Sequence, residues 1–247
     1  MSDEGVVRLE GVRKAFGDRA VLDGVSFEVR RGRGFCLLGR SGTGKSVTLR
    51  HIVGLVRPDA GQVLVEGRDV PRLSRRELSE VRQRIGFLFQ GAALFDSISV
   101  GENVAFPLRR HTKLRAAEIR RRARARLAEV GLEGEYDRMP AALSGGMRKR
   151  VGLARAMALD PAVLLVDEPS AGLDPVTSSE IDRLLLERRE QGVTLVVVTH
   201  NIPSARVLGD ELAVLDGGRI VTRGTAAELE RSDHPLARAF MRSAGGG

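Results

Sequence analysis

Apolar and polar positions follow two rhythms along this chain. In the first ninety residues, and again after residue 160, apolar side chains come in short runs closed by Gly, Pro or Asp, the pattern of strands between turns. The runs predict strands at residues 6–9, 25–29, 35–38, 62–65 and 85–89, then at 163–166, 193–198, 211–215 and 219–222. Residues 163–166, and 193–198 but for Thr194, are apolar, and the two runs are rich in β-branched side chains, which suits parallel strands buried on both faces. A crossover helix starting near Pro175 is expected between them. Asp216-Gly217-Gly218 predicts a hairpin turn between the last two strands, and two short helices are expected to finish the chain. Ser74 with Glu77 three residues on is a capping-box pattern for a helix reaching about Gln83. Residues 91–160 differ in character, with helices expected at 116–130 and, entered through glycines, at 144–159. The expectation is one domain: a βαβ core from residues 1–90 and 161–247, which includes a small β subdomain, and an inserted helical subdomain at 91–160.

Composition narrows this picture. At 247 residues the chain suits one large α/β domain or a core with a subdomain. Cys36 is the single cysteine and lies in an apolar run, so it is read as a buried hydrophobe in a chain with no internal disulfide. No apolar stretch approaches the roughly 20 residues that span a bilayer. The start, Met1-Ser2-Asp3-Glu4, is acidic where a signal peptide would be basic, so a soluble protein of a reducing cytosol is expected. Gly245-Gly246-Gly247 is the only low-complexity piece. The net charge is +8, and residues 109–126 hold nine Lys or Arg beside one acid, Glu118. That run is open to three readings: a solvated helix face, attraction to an anionic membrane or acidic partner, or nucleic acid, the last weakened by the absence of interleaved aromatics.

Candidate chemistry begins after the run at 35–38. Gly39-Arg40-Ser41-Gly42-Thr43-Gly44-Lys45-Ser46 fits the phosphate-loop pattern G-x-x-x-x-G-K-[ST] at every fixed position. Its glycines let successive N–H groups face phosphate oxygens, Lys45 reaches the β- and γ-phosphates, and Ser46 offers a hydroxyl to Mg²⁺. A helix opening near Gly44 adds the positive end of its dipole, so Gly39 to Val47 is the expected nucleotide-contacting stretch. Asp167 and Glu168 follow the run at 163–166 and so sit at a strand end, where open α/β sheets bind ligands. Asp167 is expected to hold Mg²⁺ and Glu168 to deprotonate the attacking water. His200 emerges at the end of the next buried strand, towards the γ-phosphate, and Gln90 follows the strand at 85–89, within reach of metal or water. Ser144, Gly145 and Gly146 open a second helix N-terminus fit for an anion.

Together these residues resemble the ATP-binding cassette (ABC) ATPase family. They are the phosphate loop, Gln90, Leu143-Ser144-Gly145-Gly146, Asp167-Glu168, Ser170-Ala171-Gly172-Leu173-Asp174 and His200, in the family's order and over essentially the whole chain. The resemblance implies a P-loop NTPase (RecA-like) core with a small N-terminal antiparallel β subdomain and an inserted α-helical signature subdomain. It also implies ATP hydrolysis with Mg²⁺ in a head-to-tail dimer that encloses two ATP molecules. There Ser144, Gly145 and Gly146 would grip the γ-phosphate held by the other copy, and Asp174 would line the same interface. Phe16 occupies the position of the aromatic that stacks on adenine, where tyrosine is more usual; packing within the small sheet is the other reading. Met147 stands where many members have glutamine.

The stretch Phe87-Leu88-Phe89-Gln90-Gly91-Ala92-Ala93-Leu94-Phe95-Asp96, with Val104-Ala105-Phe106-Pro107-Leu108-Arg109 and Met147-Arg148-Lys149-Arg150, is similar to the ATPases of MCE-type (Mla) phospholipid transporters. That implies a peripheral subunit on the cytoplasmic face of the inner membrane, bound to an integral membrane permease that serves an MCE-domain substrate-binding protein, with phospholipid as cargo. Leu94 and Phe95 would suit the groove that accepts the permease, or else belong to the core. Rival readings are a transporter ATPase for another solute, a cassette ATPase acting on DNA or ribosomes, and a nucleotide kinase. The kinase would leave Ser144 to Gly146 and His200 without a role, and no nucleic acid partner is expected.

Overall fold

The computed structural model describes residues 5–242; the acidic residues 1–4 and the glycine tail at 245–247 lie outside the described residues. β1 (Gly5–Phe16) and β2 (Arg19–Arg30) form an antiparallel hairpin turning at Gly17, whose φ of 57° suits glycine. Both strands run well past the predicted segments. Their polar ends, such as Arg13 and Lys14, pair across the ladder with Asp23 and Leu22, and pairing rather than apolar content keeps them extended. β3 (Gly34–Leu38) leads into α1 (Lys45–Ile52); β4 (Ala60–Val65) and β5 (Arg68–Asp69) complete a four-stranded sheet of order β2-β1-β4-β5.

α2 (Arg75–Gln83) starts at the Ser74–Glu77 capping box, with both reciprocal hydrogen bonds made. β6 (Ile85–Leu88) ends one residue short of the predicted strand. α3 (Val100–His111), α4 (Ala116–Ala128) and α5 (Gly145–Ala156) follow, the last two ending two and three residues before the predicted helix ends. α3 is a helix the sequence reading did not single out, although Ser99 and Glu102 form a second capping box. Pro107 within it obscured the pattern.

β7 (Val163–Asp167), α6 (Pro175–Glu190), β8 (Thr194–Thr199), α7 (Ile202–Leu208), the hairpin of β9 (Glu211–Asp216) and β10 (Arg219–Gly224), α8 (Ala226–Glu230) and α9 (Pro235–Arg242) complete the chain. The second sheet has order β10-β9-β3-β8-β7-β6 and is parallel except for the β9–β10 pair. β3, β7 and β8 are buried at every position. Alternate side chains therefore feed two cores: Phe35, Leu37, Val163, Leu165 and Val196 pack with the small sheet and α1, whereas Cys36, Leu38, Leu164, Val166 and Val197 pack with the helices beyond. Cys36 is fully buried, as expected, and burial raises its thiol pKa. The fold is thus an α/β P-loop NTPase core with an antiparallel β subdomain. Among the described residues, no helix is long and apolar enough to cross a membrane.

Candidate nucleotide-binding site

β3 stops against the phosphate loop, and two of the loop's glycines have no room for a side chain. A Cβ on Gly39 would lie 2.6 Å from the Leu215 carbonyl oxygen, and one on Gly44, at φ 104°, 2.9 Å from that of Val21. Thr43 closes the loop by donating from its hydroxyl to the Arg40 carbonyl. Lys45 is only 6 % exposed. Its Nζ donates to the carbonyls of Gly39 and Arg40 at 2.8 and 3.1 Å and lies 3.3 Å from Glu168 Oε1.

Asp167, the last residue of β7, and Glu168 just after it bring two carboxylates to the same edge. Ser46 donates to Asp167 Oδ1 at 2.8 Å, so a hydroxyl and a carboxylate stand side by side. Burial raises the Asp167 pKa, with the Ser46 hydrogen bond opposing it. This pair fits Mg²⁺, which keeps several waters and substrate phosphates rather than filling its shell with protein. No cluster of three or more His, Cys, Asp or Glu able to cage a metal occurs among the described residues. Glu168 is a non-glycine residue at φ 47°. Its Oε2 lies 2.9 Å from His200 Nδ1 and accepts a longer bond from the His200 backbone N–H.

A cavity of about 600 Å³ joins these groups. It is lined by Phe16, Arg40, Ser41, Gly42, Gly44, Lys45, Ser46, Val47, Gln90, Glu168 and His200 from the predicted set. Gly39, Thr43 and Asp167 are not part of its lining, and Asp167 is joined to it through the Ser46 hydroxyl. Phe16 stands at the rim, 51 % exposed, with Lys14 Nζ 5.3 Å from its ring centre. Ser144, Gly145, Gly146 and Asp174 do not line this cavity. Ser144 caps α5 by accepting from the Met147 N–H, Asp174 caps α6 by accepting from Val176 and Thr177, and a Cβ on Gly146 would meet the Thr177 side chain at 2.4 Å. The N-termini of α5 and α6 therefore meet each other, and neither lines the cavity over the phosphate loop.

Sequence reasoning missed several contributors, among them Val21, which lines the cavity from β2. Arg19, at the start of β2, and Phe240, on α9, line the cavity; neither belongs to a local motif, and both arrive through tertiary packing. Arg155 donates to the carbonyls of Ala92 and Ala93, which have φ of 61° and 50°, and so sets the segment after Gln90. There Leu94 packs against the core, while Phe95 stays 44 % exposed against Phe106.

Comparison with known proteins follows the same residues. The family model described as "ABC transporter" matches residues 22–171. The chain is 42% identical over 236 residues to the probable ribonucleotide transport ATP-binding protein mkl of Mycobacterium leprae, covering 95% of this chain and 68% of that one. It is 40% identical over 237 residues to the intermembrane phospholipid transport system ATP-binding protein MlaF of Escherichia coli K12, covering 96% and 88%. It thus spans about two thirds of the mycobacterial relative's length. The dimeric post-hydrolysis structure of the ATP-binding cassette MJ0796 with ADP and Pi superposes with a TM-score of 0.82 at 34% identity, over 89% of this chain and 98% of that one. With a family match running from β2 past the carboxylate pair, and relatives alike over nearly its whole length, this chain belongs to the ABC transporter ATPases.

Proposed function

We propose that this chain powers a transporter of phospholipid between membranes, as a Mg²⁺-dependent ATPase on the cytoplasmic face of the inner membrane. Two copies meet head to tail, each presenting Ser144, Gly145, Gly146 and Asp174 to ATP held by the other. They engage an integral membrane permease that serves an MCE-domain protein. The observation that carries the hydrolytic part is the convergence on Glu168, whose carboxylate meets Lys45 on one oxygen and His200 on the other. The lipid part rests on the likeness to MlaF along 88% of that protein. A nucleotide or other solute as cargo is the second reading, favoured by the equally strong likeness to a protein named for ribonucleotide transport.

In this reading the phosphate loop's N–H groups and Lys45 bind the β- and γ-phosphates, and Phe16 flanks the base. Ser46, Asp167 and Gln90 would hold Mg²⁺, which supplies charge neutralisation on the phosphate oxygens. Glu168 takes a proton from water as the water oxygen bonds to the γ-phosphorus. The bond from that phosphorus to the β–γ bridging oxygen breaks, and ADP and inorganic phosphate leave. His200, whose Nδ1 lies 2.9 Å from Glu168 Oε2, keeps the carboxylate turned to the site.

A nucleic-acid role finds little support in the basic run. Arg121 and Arg122 both donate to Glu118, and Arg126 pairs with Glu129 and Asp160. Arg120 and Arg124 lie over the Tyr136 ring.

The test is purification of the protein from its native membranes in mild detergent, with mass spectrometry of bound proteins and lipids. A permease, an MCE-domain protein and phospholipid together support the reading. A different permease discards the lipid cargo, and ribosomes or DNA without a permease discard transport.

A further inference from the structure

Lys149 lies on α5, five residues beyond the Ser144 cap, yet it points inward and is only 5 % exposed. A buried ammonium is costly unless it finds partners. This one donates to the backbone carbonyl of Glu168 at 2.9 Å, and burial lowers its pKa against the pull of Asp167 and Glu168. The recipient is unusual too. Glu168 holds the left-handed φ of 47°, a conformation that side-chain-bearing residues rarely adopt unless their surroundings impose it. Its N–H donates to the Val198 carbonyl at 2.9 Å. The residue is therefore held on both sides, by β8 at its N–H and, at its carbonyl, by Lys149 of α5 together with the Ala171 N–H at 3.2 Å. Between those clamps the side chain leaves the backbone towards Lys45 and His200.

We propose that Lys149 is a positioning residue for hydrolysis: it holds the Glu168 backbone in its left-handed turn, aims the carboxylate into the site, and links that aim to the placement of α5. The inference rests on the reading of Glu168 as the base. Lys149 itself touches neither phosphate loop nor cavity; its effect passes through one carbonyl. Because Ser144, Gly145 and Gly146 begin the same helix, whatever seats that N-terminus also sets the Lys149–Glu168 distance.

The test uses the full chain and compares Lys149→Met, which keeps the length and loses the donor, with Lys149→Gln, which keeps a donor. Hydrolysis rate, ATP affinity and thermal midpoint are measured in the native and Glu168→Gln backgrounds. Misaligning a reacting group by about 1 Å costs up to ~10²-fold, so Lys149→Met is expected to lower kcat at least ~10-fold while ATP affinity stays within about twofold. Lys149→Gln should recover part of the loss, and Lys149→Met should add nothing in the Glu168→Gln background. Normal turnover by Glu168→Gln alone would sink the catalytic reading. A slow Glu168→Gln beside a normal Lys149→Met would overturn this inference and leave that reading standing. An additive loss in the double variant, or a fall in ATP affinity parallel to the rate, would also overturn it. If Lys149→Met does not fold, the same criteria apply to Lys149→Gln: lowered kcat with intact affinity and no added loss beside Glu168→Gln supports the inference, and any other pattern overturns it.

Discussion

At the scale of single residues, the carboxylates at the end of β7 have different surroundings and give separable predictions. Glu168→Gln keeps the shape and removes the proton acceptor. ATP binding should persist while turnover slows by at least ~10²-fold, the scale of a lost general base, in a phosphate-release assay paired with an ATP titration. Lys45→Ala should weaken nucleotide binding itself, and an unchanged affinity would count against the phosphate-loop assignment. Asp167 is held above the usual carboxylate range by burial. A raised folded-state pKa favours folding below the unfolded pKa, and that contribution is lost as pH rises towards the folded value. At neutral pH the ionised group is thus a net cost without a cation, so Asp167→Asn should raise the thermal midpoint in metal-free buffer. The same variant should lose the added stability that Mg²⁺ with ATP gives the parent, and a midpoint that falls in metal-free buffer would refute the burial argument.

Among elements, α3 shows how much one cap carries. Ser99 accepts from the Glu102 N–H while the Glu102 carboxylate accepts from the Ser99 N–H, and Asn103 on the next turn bonds to the backbone at Phe95, Ile98 and Ser99. Ser99→Ala should cost about 1 kcal/mol in urea unfolding, the usual loss for an N-cap. Contact between elements is stricter. A Cβ on Gly86 would come 2.5 Å from the Ala156 carbonyl oxygen, where α5 crosses β6. Gly86→Ala should therefore cost about 1–3 kcal/mol, as overpacking does, and a neutral result would show that α5 can shift there freely. The capping box of α3 was legible in the sequence, yet Pro107 hid the helix behind it. The polar ends of β1 and β2 were not legible, because ladder pairing with no apolar signature holds them.

For the whole molecule, the argument for a second copy is that Ser144–Gly146 do not line the phosphate-loop cavity of their own chain, and that the similar cassette MJ0796 is dimeric. Glu168→Gln with ATP should run as a dimer in size-exclusion chromatography with light scattering and return to a monomer when ATP is removed; a monomer throughout would count against the ATP-enclosing pair. The sequence alone was enough to single out the phosphate-loop motif, the carboxylate pair and His200 as candidates, which the fold brings within hydrogen-bond or ion-pair reach of one another, because phosphate chemistry demands particular residue types at short spacings next to strand ends. It was enough for the parallel core as well, since strands buried on both faces read as nearly continuous apolar runs, here broken only towards their ends by Thr194, Thr199 and Asp167. Only the tertiary structure decided that Lys149, one basic residue among many, is buried against the Glu168 carbonyl, and that Arg19 and Phe240 reach the cavity from distant parts of the chain. It also decided that the arginines of α4 pair with Glu118, Glu129, Asp137 and Asp160. These properties belong to packing between elements, and no local spacing encodes which face of a helix meets which strand.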